Sequence, residues 1–112
     1  MKCYQVQITQ HAQQDLQDIF YYIYNELQSP NTALNQLNRL ETAILSLSHL
    51  PNKYRRYEEE PWLSRNLRIL PVDNYVAFYI PNSQNMTVTV IRVLYGGKNI
   101  RRELNRFTEF EE

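Results

Sequence analysis

Two apolar stripes of helical period, separated by a Ser-Pro step, constrain this chain more than any other feature. Ala12, Leu16, Ile19, Phe20, Ile23 and Leu27 fall at offsets 0, 4, 7, 8, 11 and 15, with Gln13, Gln14, Asp15 and Gln17 mostly on the wet side. Thr9 is placed to cap this helix. Ser29 then serves as N-cap and Pro30 as first residue of a second helix. Ala33, Leu37, Leu40, Ile44 and Leu47 recur there at alternating spacings of four and three, and Leu34 widens the stripe. Two such helices joined by a few residues form an antiparallel hairpin. Its apolar face has to be covered by another layer.

The rest of the chain supplies that layer. Tyr4, Val6 and Ile8 alternate with Cys3, Gln5 and Gln7, the two-residue period of a strand. Leu50-Pro51-Asn52 closes the second helix, and residues 51–64, aperiodic and containing Pro51 and Pro61, read as an ordered surface loop. Arg65 to Leu70 is expected to be a strand with Leu67 and Ile69 on one face and Arg68 on the other, and Pro71 to Asn74 a turn. Tyr75 to Ile80 is a continuous apolar and aromatic run that suits a central strand; Pro81 to Asn85 has the composition of a hairpin loop. Met86 to Tyr95 makes the longest strand, Gly96-Gly97 breaks it, and Ile100 to Phe107 follows as a short helix. The expected class is α+β: an N-terminal strand, a helical hairpin, a three-stranded antiparallel meander and a short C-terminal helix. One domain spans 1–112, with a frayed acidic tail over about 106–112, the hairpin on one sheet face and the other face open.

A chain of 112 residues with 43% apolar and 21% charged residues is an ordinary single globular domain, and disorder over most of it is excluded. No apolar run approaches the roughly 20 residues of a membrane-spanning helix. Met1-Lys2-Cys3-Tyr4-Gln5-Val6 lacks the apolar core of a signal peptide, so the expected compartment is the cytoplasm. One cysteine forbids an internal disulfide, and with two separated histidines it leaves no zinc set; no metal or cofactor is expected. The net charge of zero hides a division. Residues 1–48 carry −2, residues 49–102 carry nine basic against four acidic residues for +5, and residues 103–112 carry −3. A local positive field attracts phosphates whatever the total charge. The plainer reading is that these cations only decorate exposed strands.

The sequence has no P-loop, G-x-G-x-x-G, H-E-x-x-H or G-x-S-x-G motif. A nucleophilic pair of Cys3 with His11 or His49 would need tertiary proximity. His11 otherwise reads as a first-turn surface residue, and His49 as a helix-end residue favoured by the dipole. The informative cluster is basic and aromatic: Tyr54-Arg55-Arg56-Tyr57, then Trp62, Arg65 and Arg68, then Arg92, Tyr95, Lys98, Arg101 and Arg102. Guanidinium groups fork onto phosphates and aromatic faces stack on bases. Against this, Tyr54 and Tyr57 can simply pin the loop, Trp62 can plug the sheet edge, and Arg92, with the parity of Val88 and Val90, can be a snorkelling or paired arginine. Glu58-Glu59-Glu60 is either a solvated acidic run or the source of a general base or an arginine-orienting group. Tyr21, Tyr22 and Tyr24 offer apolar surface to a partner, or flank the core stripe.

With these elements in order, the chain resembles the RelE/ParE superfamily of toxins from type II toxin–antitoxin modules. The resemblance is carried by Tyr4-Gln5-Val6-Gln7-Ile8-Thr9 with Ala12 and Asp15-Leu16, by Ser29-Pro30 with Ala33, and by Arg65-Asn66-Leu67-Arg68. Asn74-Tyr75-Val76-Ala77-Phe78-Tyr79 and Ile91-Arg92-Val93-Leu94-Tyr95-Gly96-Gly97-Lys98-Asn99 complete it, to about residue 105. It implies a cytoplasmic toxin held silent in a hetero-oligomer by an antitoxin encoded beside it. It implies one of two targets: ribosome-bound mRNA, cleaved without metal, or DNA gyrase, poisoned without cleavage chemistry by the toxin.

Marks of both branches are present. The arginine that RelE-like nucleases place just after the tyrosine of the third strand is replaced here by Val76, after Tyr75. Arg92-Val93-Leu94-Tyr95-Gly96-Gly97-Lys98-Asn99 resembles the Arg-Val-Leu-His-Gly-Arg-Arg-Asp ending of the plasmid-stabilisation, ParE-like branch. Trp62-Leu63-Ser64-Arg65 is similar to a stretch of YoeB-type nucleases. In the mRNA interferase reading, Arg65, Arg68, Tyr95 and Lys98 are the catalytic set, supplying a proton donor and cations for the phosphorane, and they should converge on the open sheet face. The base would be one of Glu58 to Glu60 or a tyrosine lowered by nearby arginines. Arg55, Arg56, Arg92, Arg101 and Arg102 are the expected nucleic-acid-binding residues. The alternative is a non-toxic, antitoxin-binding adaptor of the same fold.

Overall fold

A computed structural model describes residues 3–97 and 99–107; Lys98 and the tail from residue 108, both part of the expectations above, lie outside the described residues. The chain runs β1 (Gln5–Ile8), α1 (Gln10–Leu27), α2 (Pro30–Leu45), β2 (Arg68–Val72), β3 (Tyr75–Asn82), β4 (Thr87–Tyr95) and α3 (Ile100–Phe107). Short 3-10 turns occupy Ser46–Ser48 and Pro51–Lys53. Both caps fall where the side chains allow them. Thr9 Oγ1 accepts from the Ala12 N–H at 3.1 Å and Ser29 Oγ from the Thr32 N–H at 3.3 Å, with Pro30 opening α2.

The four strands form one mixed sheet in the order β1-β4-β3-β2, with β1 parallel to β4 and the other pairs antiparallel. The α1–α2 hairpin is the crossover between the parallel strands. Ala12, Leu16, Leu40, Ile44 and Leu47 pack on Leu70, Val72, Ala77, Tyr79, Val88, Val90 and Val93 to form the first core. Near the hairpin tip Leu27 and Leu34 stay exposed, outside the stripes to which their spacing assigned them.

The opposite face is not open. Trp62, Leu67, Ile69, Phe78, Ile80, Ile91, Leu94 and Leu104 form a second core there, flanked by Tyr57, Val76 and Ile100. The segment between α2 and β2 folds back over this face, and α3 lies beside it. Trp62 Nε1 donates to Asn105 Oδ1 at 2.8 Å, tying that segment to α3. The Tyr57 ring meets Phe78 edge to face at 5.9 Å.

Strand β2 starts at Arg68, three residues later than its pattern suggested, and runs through Pro71 to Val72. Residues 59–66 instead wind through successive turns, held by the Leu63 N–H to Glu59 O and Ser64 N–H to Glu60 Oε1 bonds. Pro71 is tolerated because β2 is the sheet edge. β3 likewise continues through Pro81 to Asn82.

A bulge interrupts β3–β4: Phe78 pairs with Arg92 and Tyr79 with Val90, leaving Ile91 extra. Strand parity is broken there, so Arg92 no longer shares the face of Val88 and Val90. β1 also ends at Ile8, opposite Val90, leaving the outer edge of β4 bare beyond that point. Side chains complete the edge: Thr9 Oγ1 donates to Ile91 O at 3.1 Å, and Asp15 Oδ2 accepts from the Val93 N–H at 2.9 Å.

Candidate functional site

Of the expected catalytic side chains, the three that are described, Arg65, Arg68 and Tyr95, do not meet. Arg68 lies on the hairpin side of β2, where Nη1 donates to the carbonyls of Asn52 at 2.9 Å and Tyr54 at 2.6 Å. It clamps the entry to the long loop, next to the Tyr79 hydroxyl, which donates to Pro51 O. Burial pushes the Tyr79 phenol far above its usual value, only partly opposed by Arg68. Arg65 is on the opposite side of the sheet, its guanidinium 5.2 Å from the centre of the Trp62 ring. Tyr95 ends β4 opposite Tyr75, whereas Arg68 pairs with Tyr79. At strand dimensions this separates Arg68 from Tyr95 by roughly 13 Å along the sheet and roughly 10 Å across it.

Arg92 is 7% exposed and engaged on several sides. Nε and Nη2 donate to the two oxygens of Asp15 at 2.7 and 3.0 Å, and Nη1 donates to Glu103 O at 2.9 Å. Burial works against its charge most strongly, but the bond and charge of Asp15, with those of Glu103, together raise its pKa. Of the two roles left open for Arg92, the paired one is the one found, and its guanidinium is turned inward rather than to a nucleic acid.

Arg55 and Arg101 rim a shallow cleft on the second face. Arg55, Tyr57, Glu58, Glu59, Ile100 and Arg101 line it, over a floor of Ile69, Val76 and Phe78, enclosing about 420 Å³. Arg101 Nε sits 3.0 Å from Glu59 Oε1. Glu58, Glu59 and Glu60 are all exposed, as a solvated acidic run is, and Glu59 makes a surface pair with an arginine. Arg56 and Arg102 are exposed nearby in sequence, Arg56 opposite Arg68 and Arg102 in the first turn of α3. Tyr57 is not lowered by this basic neighbourhood. Burial and the Glu59 charge raise its pKa, more than Arg101 lowers it.

A second cleft opens on the hairpin side, between α1 and the ends of β3 and β4. Asp15, Asp18, Ile19 and Tyr22 line it from the helix; Tyr75, Val93, Leu94 and Tyr95 line it from the sheet, around about 570 Å³. Tyr75 and Tyr95 meet edge to face at 5.9 Å. Burial, followed by the phenols of Tyr22 and Tyr95, raises the pKa of Tyr75. This convergence was missed in the sequence because it depends on the register of two strands. One signal was available: Asp15, Asp18, Ile19 and Tyr22 recur at helical spacing along one line of α1.

Cys3 Sγ and His49 Nδ1 approach to 3.8 Å on the surface, the proximity that sequence could not supply. Among the described residues no three His, Cys, Asp or Glu side chains are grouped as metal ligands would be. Among them, too, no helix is long and apolar enough to cross a membrane.

The arrangement of a helical crossover on a mixed four-stranded sheet, closed by a short helix, is shared with solved toxin–antitoxin proteins. A chain of the chromosomal ParDE system of P. aeruginosa superposes with a TM-score of 0.68 at 17% identity, covering 83% of this chain and 96% of that one. A chain of the RelBE2 toxin–antitoxin complex of Mycobacterium tuberculosis gives 0.60 at 21% identity, over 85% and 93%. One from the archaeal RelE–RelB complex of Pyrococcus horikoshii gives 0.58 at 16%, over 86% and 98%. At these identities the likeness concerns the fold. No curated protein matches the sequence. Residues 6–100 match the family model of the ParE toxin of the type II toxin–antitoxin system parDE. The chain belongs to that family: it is a ParE/RelE-type toxin of a type II module, neutralised by an antitoxin.

Proposed function

We propose that this toxin arrests growth by binding DNA gyrase rather than by cutting mRNA, and that the exposed arginines of the second face contact phosphates of the DNA-bearing target. The observation that carries the reading is the dispersion of the would-be nuclease groups. Arg65 and Arg68 lie on opposite sides of the sheet, and Arg68 is committed to two loop carbonyls. Metal-free RNA cleavage needs a base, an acid and a cation within reach of one phosphate. Membership of the ParE branch supports the same reading. Arg55, Arg101 and Arg102 are exposed and have no part in the first core, and their positive field suits electrostatic contact with phosphates.

Regulated expression in a bacterium tests this. Pulse labelling should show DNA synthesis failing first, with mRNA intact, and Arg55→Ala/Arg101→Ala should relieve the arrest. Early loss of protein synthesis with mRNA cut at codon positions would return the protein to the interferase reading, with Tyr95 and Lys98 as its candidate groups. Normal growth with folded protein would leave the non-toxic adaptor.

A further inference from the structure

The cleft on the hairpin side has no part in the gyrase reading, and its chemistry is distinctive. Three phenol rings converge on it: Tyr22, 64% exposed, Tyr95, 49% exposed, and the half-buried Tyr75 between them. Among the described residues its wall contains two carboxylates and no basic side chain. Asp15 is consumed by Arg92 and the Val93 N–H. Asp18 is exposed and accepts from the neutral Gln14 Nε2 at 2.9 Å, so its charge is not cancelled by that contact. Glu26, one helical turn beyond Tyr22, extends the acidic line toward the hairpin tip.

We propose that this cleft receives a basic side chain, arginine or lysine, from the antitoxin's neutralising segment. Aromatic faces attract a cation, and a carboxylate at the rim takes its hydrogen bonds. The pairing gains strength as the segment excludes water from the cleft. Charge also selects the occupant. A DNA-bearing target is polyanionic and is repelled by Asp18 and Glu26, so the same acidic line that suits a basic peptide is wrong for the enzyme being poisoned. The inference rests on the toxin having an antitoxin and is independent of whether gyrase is the target.

The test uses the full toxin and the antitoxin encoded in the same module, with affinity measured by titration calorimetry at low and high salt. Asp18→Asn should weaken binding about tenfold at low salt and flatten the salt dependence; Asp18→Lys should weaken it further. Tyr22→Ala should weaken it by a similar factor at either salt concentration. Glu41→Gln, on the exposed face of α2, should leave it unchanged. Asp18 and Tyr22 are exposed, and circular dichroism melts coinciding with wild type establish that the variants fold. Wild-type affinity and salt slope in both Asp18→Asn and Tyr22→Ala would overturn the proposal. So would toxin self-association that Asp18→Asn abolishes, which would assign the cleft to a second copy of the chain. Altered gyrase inhibition with unaltered antitoxin binding would also count against it.

Discussion

Arg92 and Asp15 form a two-pronged ion pair, with both carboxylate oxygens engaged at 2.7 and 3.0 Å, that joins β4 to α1 across the bare end of β1. Asp15 also accepts the Val93 N–H, so one carboxylate neutralises a buried guanidinium and completes the ladder of a strand. Removing one member leaves the other charged and desolvated. Asp15→Asn and Arg92→Met should each cost about 3 kcal/mol, the usual range for breaking a buried pair. Urea unfolding followed by circular dichroism checks this, and a loss below about 1 kcal/mol would place the pair among ordinary surface contacts.

The second core should be separable from the first. Leu104 is fully buried and holds α3 against Ile91 and Leu94, while Asn105 accepts from the Trp62 indole. Leu104→Ala should cost about 2–5 kcal/mol and loosen α3 before the sheet unfolds. Trp62 is the only tryptophan, so its emission should shift to the red at lower denaturant than the far-ultraviolet signal. Coincident transitions would show instead that both cores unfold together.

Gly97 stands under the Tyr95 ring. A β-carbon there would lie 2.6 Å from Tyr95 Cε2, so Gly97→Ala should swing the ring and reshape the tyrosine cleft. The change falls at a surface turn, and global stability should move by less than about 1 kcal/mol. Ring proton shifts of Tyr95 and Tyr75 report the movement; unchanged shifts would mean that the backbone moves instead.

Asp73 fastens the β2–β3 turn to α2. Hydrogen bonds from Arg39, then from Gln36, hold its carboxyl down to about 2, against an ordinary 3.8. A depressed folded value means that the contribution is fully present above the unfolded pKa and is lost as pH falls toward the folded one. Wild type should therefore lose this support between pH 3.8 and about 2. Asp73→Asn should remove that part of the acid sensitivity, and it preserves a residue tolerant of the positive φ of 56° at this turn. Melting temperatures across pH 2–5 for both proteins make the comparison. Parallel curves would contradict it.

The elements were legible where local chemistry decides them. Thr9 and the Ser29-Pro30 step announce both helix starts, and Gly96-Gly97 announces the end of β4, because caps and breakers act within a few residues. Coverage of the second face was not legible. Tyr57 and Trp62 lie in an aperiodic segment, and only the folded sheet gives them a surface to cover. The burial of Arg92 was hidden by a bulge, which no alternation pattern records. Its partner was misplaced by the helical pattern. Asp15 is expected on the wet side with Gln13, Gln14 and Gln17, yet its side chain is 11% exposed, because it lies between Ala12 and Ile19 at helical spacing, where an unpaired carboxylate would be costly. The basic character of the loop and α3 was readable as composition, but the division of Arg65 and Arg68 between two sheet faces required the strand to begin at residue 68.

A toxin that binds gyrase, as proposed, and does not cut mRNA is distinguished by its behaviour in two purified reactions. Purified toxin, freed of its antitoxin, should be added in parallel to a gyrase supercoiling reaction and to ribosomes programmed with a defined mRNA. The expected result is stoichiometric inhibition of supercoiling, weakened by Arg55→Ala/Arg101→Ala, with the mRNA remaining full length. Codon-phased mRNA cleavage at catalytic toxin concentrations, with supercoiling untouched, would contradict it.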